Sequence, residues 1–273
     1  MNAIQNATAN KPVANGRPTM QQYIKQMEGE IKKALPSVIT PERFTRIVLS
    51  ALSANPQLAS TTPQSFLGAM MTAAQLGVEP NTPLGQAYLI PYRNHGTLEC
   101  QFQLGYKGLI DLAYRSGEVS MIQAQIVYEN DDFNYSFGLE PALKHTPAKK
   151  DRGEPVAVYA VFRTKDGGCG FDVMSIDDVR DHARKYSQAY NKGSTSPWQT
   201  NFEEMAKKTI LKRVLKYAPL KSDFVRGVAQ DETIKTEISE DMYSVPNAVV
   251  VSEFNDISVD ESTGEVVEES HED

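Results

Sequence analysis

Residues 86–117 read QAYLIPYRNHGTLECQFQLGYKGLIDLAYRSG, and this stretch decides the fold class. Gln86 to Arg93 is strand-like in composition, and Thr97 to Leu104 alternates apolar and polar residues. Asn94-His95-Gly96 supplies turn residues between them, so residues 86–104 read as a β-hairpin. Gly105 closes the second strand. From residue 106 to 116 the period changes to that of a helix with Leu109, Ile110, Leu112 and Ala113 on one face, and Gly117 stops it.

Upstream, three short helices are expected at roughly 19–35, 41–54 and 63–76. Thr40 caps the second, Pro41 takes its first helical position, and Gly77 stops the third. Downstream, Val119 to Tyr128 and Val156 to Thr164 have strand composition. Gly170 to Met174 returns as a third strand after the Asp166-Gly167-Gly168 turn. A polar, basic loop is expected between the first two of these strands. Ser175 with Asp178 starts a helix whose apolar stripe is Ile176, Val179, Ala183, Tyr186 and Tyr190, and after a Gly/Ser/Thr loop Trp198 to Tyr217 forms a long last helix ended by Pro219. Helices, hairpin, helix, strands, helices is an α+β order: N-terminal helices, then a small antiparallel β-sheet with packed helices.

Forty per cent apolar residues in 273 suffice for a buried core. No stretch approaches the roughly 20 apolar residues of a membrane helix, and the N-terminus lacks a signal-peptide run, so a cytoplasmic protein is expected. Cys100 and Cys169 form no CxxC pair, which argues against a disulfide framework or a structural zinc site.

The net charge of −7 is segregated along the chain. Residues 231–273 hold fourteen acidic residues and one basic one, Lys235; residues 144–230 hold seventeen basic against ten acidic. The chain therefore divides into an arm at 1–18 expected to be disordered, a basic body at 19–230, and an acidic, Ser/Glu/Asp-rich tail at 231–273, poor in aromatics and expected to be disordered. A positive field confined to one region is the footprint of a polyanion groove.

Candidate contacts follow from that field. On the last helix, Lys208 and Lys212 fall in one line with Lys216, four residues apart, suited to following a phosphodiester backbone. Arg213 projects within the apolar arc, where a charge must be paired or face a groove. Arg184, with Gln188 one turn beyond, could grip phosphates, and Trp198 could stack on a base or plug the core. Lys144, Lys149 and Arg152 lie in the basic loop, and Lys107 sits where helix amides converge. No nucleotide-binding fingerprint is present, so neither ATP nor another cofactor is expected. Asp131-Asp132 with Glu140 or Glu154 is the one carboxylate group with a nuclease-like character, without ligand spacing.

Three stretches together resemble the RecT family of phage and prophage recombinases. They are Gly85-Gln86-Ala87-Tyr88-Leu89-Ile90-Pro91-Tyr92; Gln103-Leu104-Gly105-Tyr106-Lys107-Gly108-Leu109-Ile110 through Gly117; and Trp198 with Glu203-Glu204-Met205-Ala206-Lys207-Lys208 through Arg213 to Leu220. The resemblance covers roughly residues 20–225. It implies a non-enzymatic, ATP-independent protein with a β-β-β-α annealing core that binds single-stranded DNA, pairs complementary strands and holds the annealed duplex. It further implies a homo-oligomer, ring or helical filament, working beside a phage 5′→3′ exonuclease and a host single-strand-binding protein. By resemblance, Lys107, Trp198, Lys207, Lys208 and Arg213 are matched positions. A plain single-stranded DNA-binding replication accessory protein is the alternative.

Overall fold

The computed structural model describes residues 18–94, 96–191, 196–219, 225, 228–235, 237–239, 241–248, 258–259 and 266–267. Most of the N-terminal arm and of the distal acidic tail, the centre of the 191–197 loop, and His95 of the hairpin turn lie outside the described residues.

Five helices come first: α1 Met20–Gln26, α2 Glu28–Ala34, α3 Pro41–Ala54, α4 Pro56–Ala59 and α5 Pro63–Leu76. Local chemistry sets most of their ends. The Thr19 hydroxyl accepts from Gln22 N, the Thr40 hydroxyl accepts from Arg43 N, Pro41 and Pro63 stand in first turns, and Gly77 ends α5 at φ +59°. The single helix expected over 19–35 is two, jointed at Met27. Apolar side chains on nearly every side of α5 are buried, which makes it the central helix of this half.

The hairpin is as expected: β1 Ala87–Asn94 pairs antiparallel with β2 Thr97–Leu104, from Ala87 opposite Leu104 to Asn94 opposite Thr97. Helix α5 packs on β2, where the Ser65 hydroxyl accepts from Cys100 N at 2.8 Å. Helix α6, Tyr106–Arg115, follows at once.

Strands β3 Val119–Tyr128, β6 Pro155–Thr164 and β7 Cys169–Ser175 form one antiparallel sheet in the order β3-β6-β7. Between β3 and β6 the chain makes a second hairpin, β4 Asp132–Ser136 with β5 Ala142–Thr146, where a basic loop was expected. Polar, charged residues there obscured a strand alternation carried by Phe133 and Tyr135.

One face of the sheet, bearing Ile122, Ile126, Val158, Ala160, Phe162 and Met174, is buried under helices α7 Ile176–Tyr186 and α10 Phe202–Val214. The helix expected over 176–190 breaks at Ser187, which is extended, and resumes as α8 Gln188–Asn191. Tyr186 consequently leaves the apolar stripe and is 65% exposed. The last helix is likewise divided: α9 Pro197–Thr200, a kink at Asn201, α10, then a 3-10 turn at Leu215–Tyr217.

The acidic stretch does not begin as a disordered tail at residue 231. Phe102 N donates to Thr233 O at 3.0 Å and Glu232 N donates to Phe102 O at 2.9 Å, so residues 232–233 extend the hairpin beside β2. Ile234, Met242 and Val245 are buried, and Lys235, itself buried, donates from Nζ to Val245 O. Gly68 of α5 makes room for this segment, since a Cβ there would lie 2.6 Å from Lys235 Cβ. Mean composition hid the anchors: three apolar side chains and an open strand edge repay the ordering that the surrounding carboxylates oppose.

Candidate nucleic-acid interface

The two glycine-bearing stretches of the hairpin close on each other. Gly105 N donates to Gln86 O at 2.9 Å, and Cβ atoms on Gly105 and Gly108 would come within 2.1 Å of Gly85 O and Gln86 O respectively. Residues 85–88 thus lie across the start of α6 at backbone contact distance, which only glycine permits. Tyr88 packs at Gly85 and Gly105, and the Lys107 side chain runs beside Gly85 to an exposed ammonium.

The first turn of α10 joins both halves of this region. The Tyr128 hydroxyl donates to Glu203 Oε1 at 2.8 Å, while Glu204 lies against Tyr106. The Arg152 guanidinium stacks on the Tyr128 ring, 4.1 Å from its centroid, and grips Asp131 through Nε and Nη2 at 3.0 and 2.6 Å. Asp131 also accepts from His145 Nε2, Ala148 N and Tyr128 N. Its hydrogen bonds from Arg152 hold its carboxyl well below the usual carboxylate range, against the opposing effect of burial. Arg152 is therefore committed to the base of the β4–β5 hairpin, not free for a phosphate. Its Asp131 partner is equally committed, and Asp132 faces Lys144 at 3.4 Å.

A second set of charges joins α10 to residues 231–232 beside β2. Lys208, only 5% exposed, points at Asp231 and Glu232 with Nζ to oxygen distances of 3.0 and 3.1 Å, and Lys212 meets Asp231 at 2.9 Å. Burial opposes the Lys208 charge, but the two carboxylates outweigh it and hold Lys208 above its ordinary value. Lys208 is thus an internal ion pair and does not line a groove. The reason is tertiary: α10 turns that stripe towards β2, where Asp231 also accepts from Leu104 N.

Lys212 remains about one-third exposed, and with Arg213 and Lys185 it surrounds His182. Burial pushes His182 below its usual value, Glu232 opposes this, and the three cations reinforce it. The Tyr186 ring lies tilted at 47° against His182, centroids 4.6 Å apart, and stands in solvent beside them.

The remaining expected contacts divide plainly. Arg213 pairs with Asp172 at 2.8 Å yet stays half-exposed, and Arg184 pairs with Asp181 at 2.6 Å on the surface. Trp198 is 8% exposed and packs between His182 and Phe202, so it plugs the core and is not a stacking platform. Gln188 opens α8, off the α7 face shared with Arg184, and its side chain lies outside the described residues. Lys107, Lys149 and Lys207 are solvent-accessible and carry no ion pair among the described residues. Sequence reading weighed Asp131 only as a metal-binding carboxylate and took Asp231 for a tail residue, missing that these two carboxylates organise the cations. It also missed the rings of β4, whose alternation at 133, 135 and 137 was the available signal.

Among the described residues no group of three or more His, Cys, Asp or Glu side chains could hold a metal, and no helix is long and apolar enough to cross a membrane. The RecT family model matches residues 42–246, spanning both halves and the ordered start of the acidic segment. Over 236 residues the chain is 38% identical to Protein RecT of Escherichia coli (strain K12), covering 84% of this chain and 86% of that one. Over 244 residues it is 28% identical to the uncharacterized protein YqaK of Bacillus subtilis (strain 168), covering 87% and 80%. Fold and comparisons together define the class, a recombination-related single-strand annealing protein. The chain belongs to the RecT family.

Proposed function

We propose that the protein binds single-stranded DNA and anneals complementary strands without ATP and without covalent chemistry, retaining the annealed duplex. The observation that carries this reading is the RecT family match, which covers the hairpin, the three-stranded sheet and the strapped acidic segment together. Two polyanions repel, and cations that neutralise both strands lower that barrier while leaving base edges free to pair. Lys107, Lys149 and Lys207, together with Lys185, Arg213 and the partly exposed Lys212 beside Tyr186, are the solvent-accessible cations suited to that role. Lys144 and Arg184 would add weaker contacts, each sharing its charge with an exposed aspartate.

A single body of this size covers only a few nucleotides, so the working form is a homo-oligomer, ring or helical filament, acting in the cytoplasm. Partners of matching chemistry are a phage 5′→3′ exonuclease that exposes strands and a host single-strand-binding protein that coats them. Complementary oligonucleotides mixed with and without the protein, in the absence of ATP and metal, test the proposal. Faster pairing is expected. Binding without acceleration would instead mark a plain single-strand-binding accessory protein.

A further inference from the structure

Among the described residues, no helix covers the second face of the three-stranded sheet. Its rungs run Gln123–Val161–Phe171 and Gln125–Tyr159–Val173, with Met121, Arg163 and Cys169 one step further. The β4–β5 hairpin lies against part of it, and the rings form a continuous line. Tyr159 stacks on Phe133 at 5.5 Å, Phe133 meets Tyr135 at 5.4 Å, Tyr135 meets Phe137 at 5.5 Å, and Phe137 stacks on Phe171 at 5.2 Å. The inner end of this line is buried or half-buried, but Tyr135 is 49% and Phe137 60% exposed.

Rings presented this way to water cost free energy unless something covers them. The same open face carries the exposed amides of Gln123 and Gln125, the exposed guanidinium of Arg163 and, across these strand positions, no carboxylate. Rings for stacking, amides for base edges and a cation without an opposing acid are complementary to the bases of an unpaired strand.

We infer that Tyr135, Phe137 and Phe171 form a base-stacking strip for single-stranded DNA, on the opposite side of the sheet from the α7–α10 cations. The inference rests on the DNA-binding reading above and adds a second kind of contact to it. Stacking is sequence-tolerant because every base has a π-face, so the strip holds a strand without reading it and leaves annealing to base pairing.

The test uses the full chain, oligo(dT) and an abasic strand of equal length. In Phe137→Trp, oligo(dT) should quench the new exposed indole while the abasic strand leaves it bright, the native Trp198 being buried. Tyr135→Ala with Phe137→Ala should lower affinity for oligo(dT) by about tenfold or more and leave abasic affinity unchanged. Both positions are exposed, so an unchanged melting temperature is expected and confirms the fold. If the wild type binds oligo(dT) but the double variant binds it equally well and Phe137→Trp shows no quenching, the strip is refuted while DNA binding stands. If the double variant sediments as a smaller species and loses affinity for both strands alike, the face is a contact between copies and the inference is overturned. If the wild type binds neither strand, the DNA-binding reading itself falls.

Discussion

The ammonium of Lys208 lies 3.0 Å from a carboxylate oxygen of Asp231, both side chains almost wholly withdrawn from solvent, and this pair fastens the start of the acidic segment to α10. Asp231 completes its shell with Lys212 and Leu104 N, so helix, hairpin and strap share one carboxylate. Removing one partner of such a buried pair leaves the other uncompensated, which costs about 3–5 kcal/mol. Lys208→Ala and Asp231→Ala are each expected to lower the melting temperature by roughly 10 °C for a body of this size. Thermal unfolding followed by circular dichroism checks this, and an unchanged melt would show the pair to be energetically neutral.

The strap sets where the chain can be cut. Truncation after residue 230 removes the Asp231 pair and the buried Ile234, Met242 and Val245, and should give an unstable or insoluble product. Truncation after residue 248 removes nine acidic residues and no lysine or arginine, and should leave the melt unchanged. A polyanion tethered at an effective concentration on the order of millimolar is expected to compete for solvent-accessible cations. The 248 truncation should therefore bind DNA more tightly at low salt, with the gain shrinking as ionic strength rises. Titrations at two salt concentrations decide this, and equal affinities at low salt exclude competition.

Phosphate contacts are expected from cations that remain in solvent. Lys107→Ala, Lys149→Ala and Lys207→Ala should each weaken binding to all sequences alike and reduce the salt slope by about 0.7 per lost contact on a single strand. Arg152→Ala, in contrast, should act mainly on stability, because it unpairs Asp131. Slopes from binding isotherms taken between low and moderate salt distinguish the two behaviours.

Acid should weaken the fold through Asp131 and Asp231, both held below the ordinary carboxylate value. For a depressed carboxylate the contribution is complete above the unfolded value, near pH 4, and is lost as pH falls towards the lower folded value. Stability measured by denaturant titration should thus decline steeply below about pH 4. Asp131→Asn should be less stable at neutral pH and show a shallower acid decline, whereas an identical acid limb would remove Asp131 from the transition.

Glycine contacts at the hairpin–helix junction give a stability test of the two motif stretches. Gly105→Ala and Gly108→Ala would each force a Cβ to 2.1 Å from a carbonyl oxygen, so loss of folded protein is expected. Gly96→Ala meets open space and costs only its positive φ of +76°, about 1 kcal/mol. Comparable melts for all three variants would mean that residues 85–88 can move off α6.

Sequence alone determined what is decided within a few residues. The caps at Thr40 and Ser175, the stops at Gly77 and Gly117, and the β1–β2 hairpin with its turn at 94–96 follow from turn chemistry and periodicity, which act over one to four positions. The α+β order and the RecT resemblance came from the same local reading. Tertiary structure decided which charges are free. The Lys208 stripe looked solvated because nothing in α10 names Asp231, and Asp231 looked like a tail residue because nothing near it names Leu104, 127 positions away. Helical spacing fixes which side chains share a face but not what that face meets, and a buried lysine is tolerated only where distant backbone and carboxylates converge on it. The ring strip escaped for the same reason: Tyr135, Phe137 and Phe171 become one line only when β4 folds over the sheet.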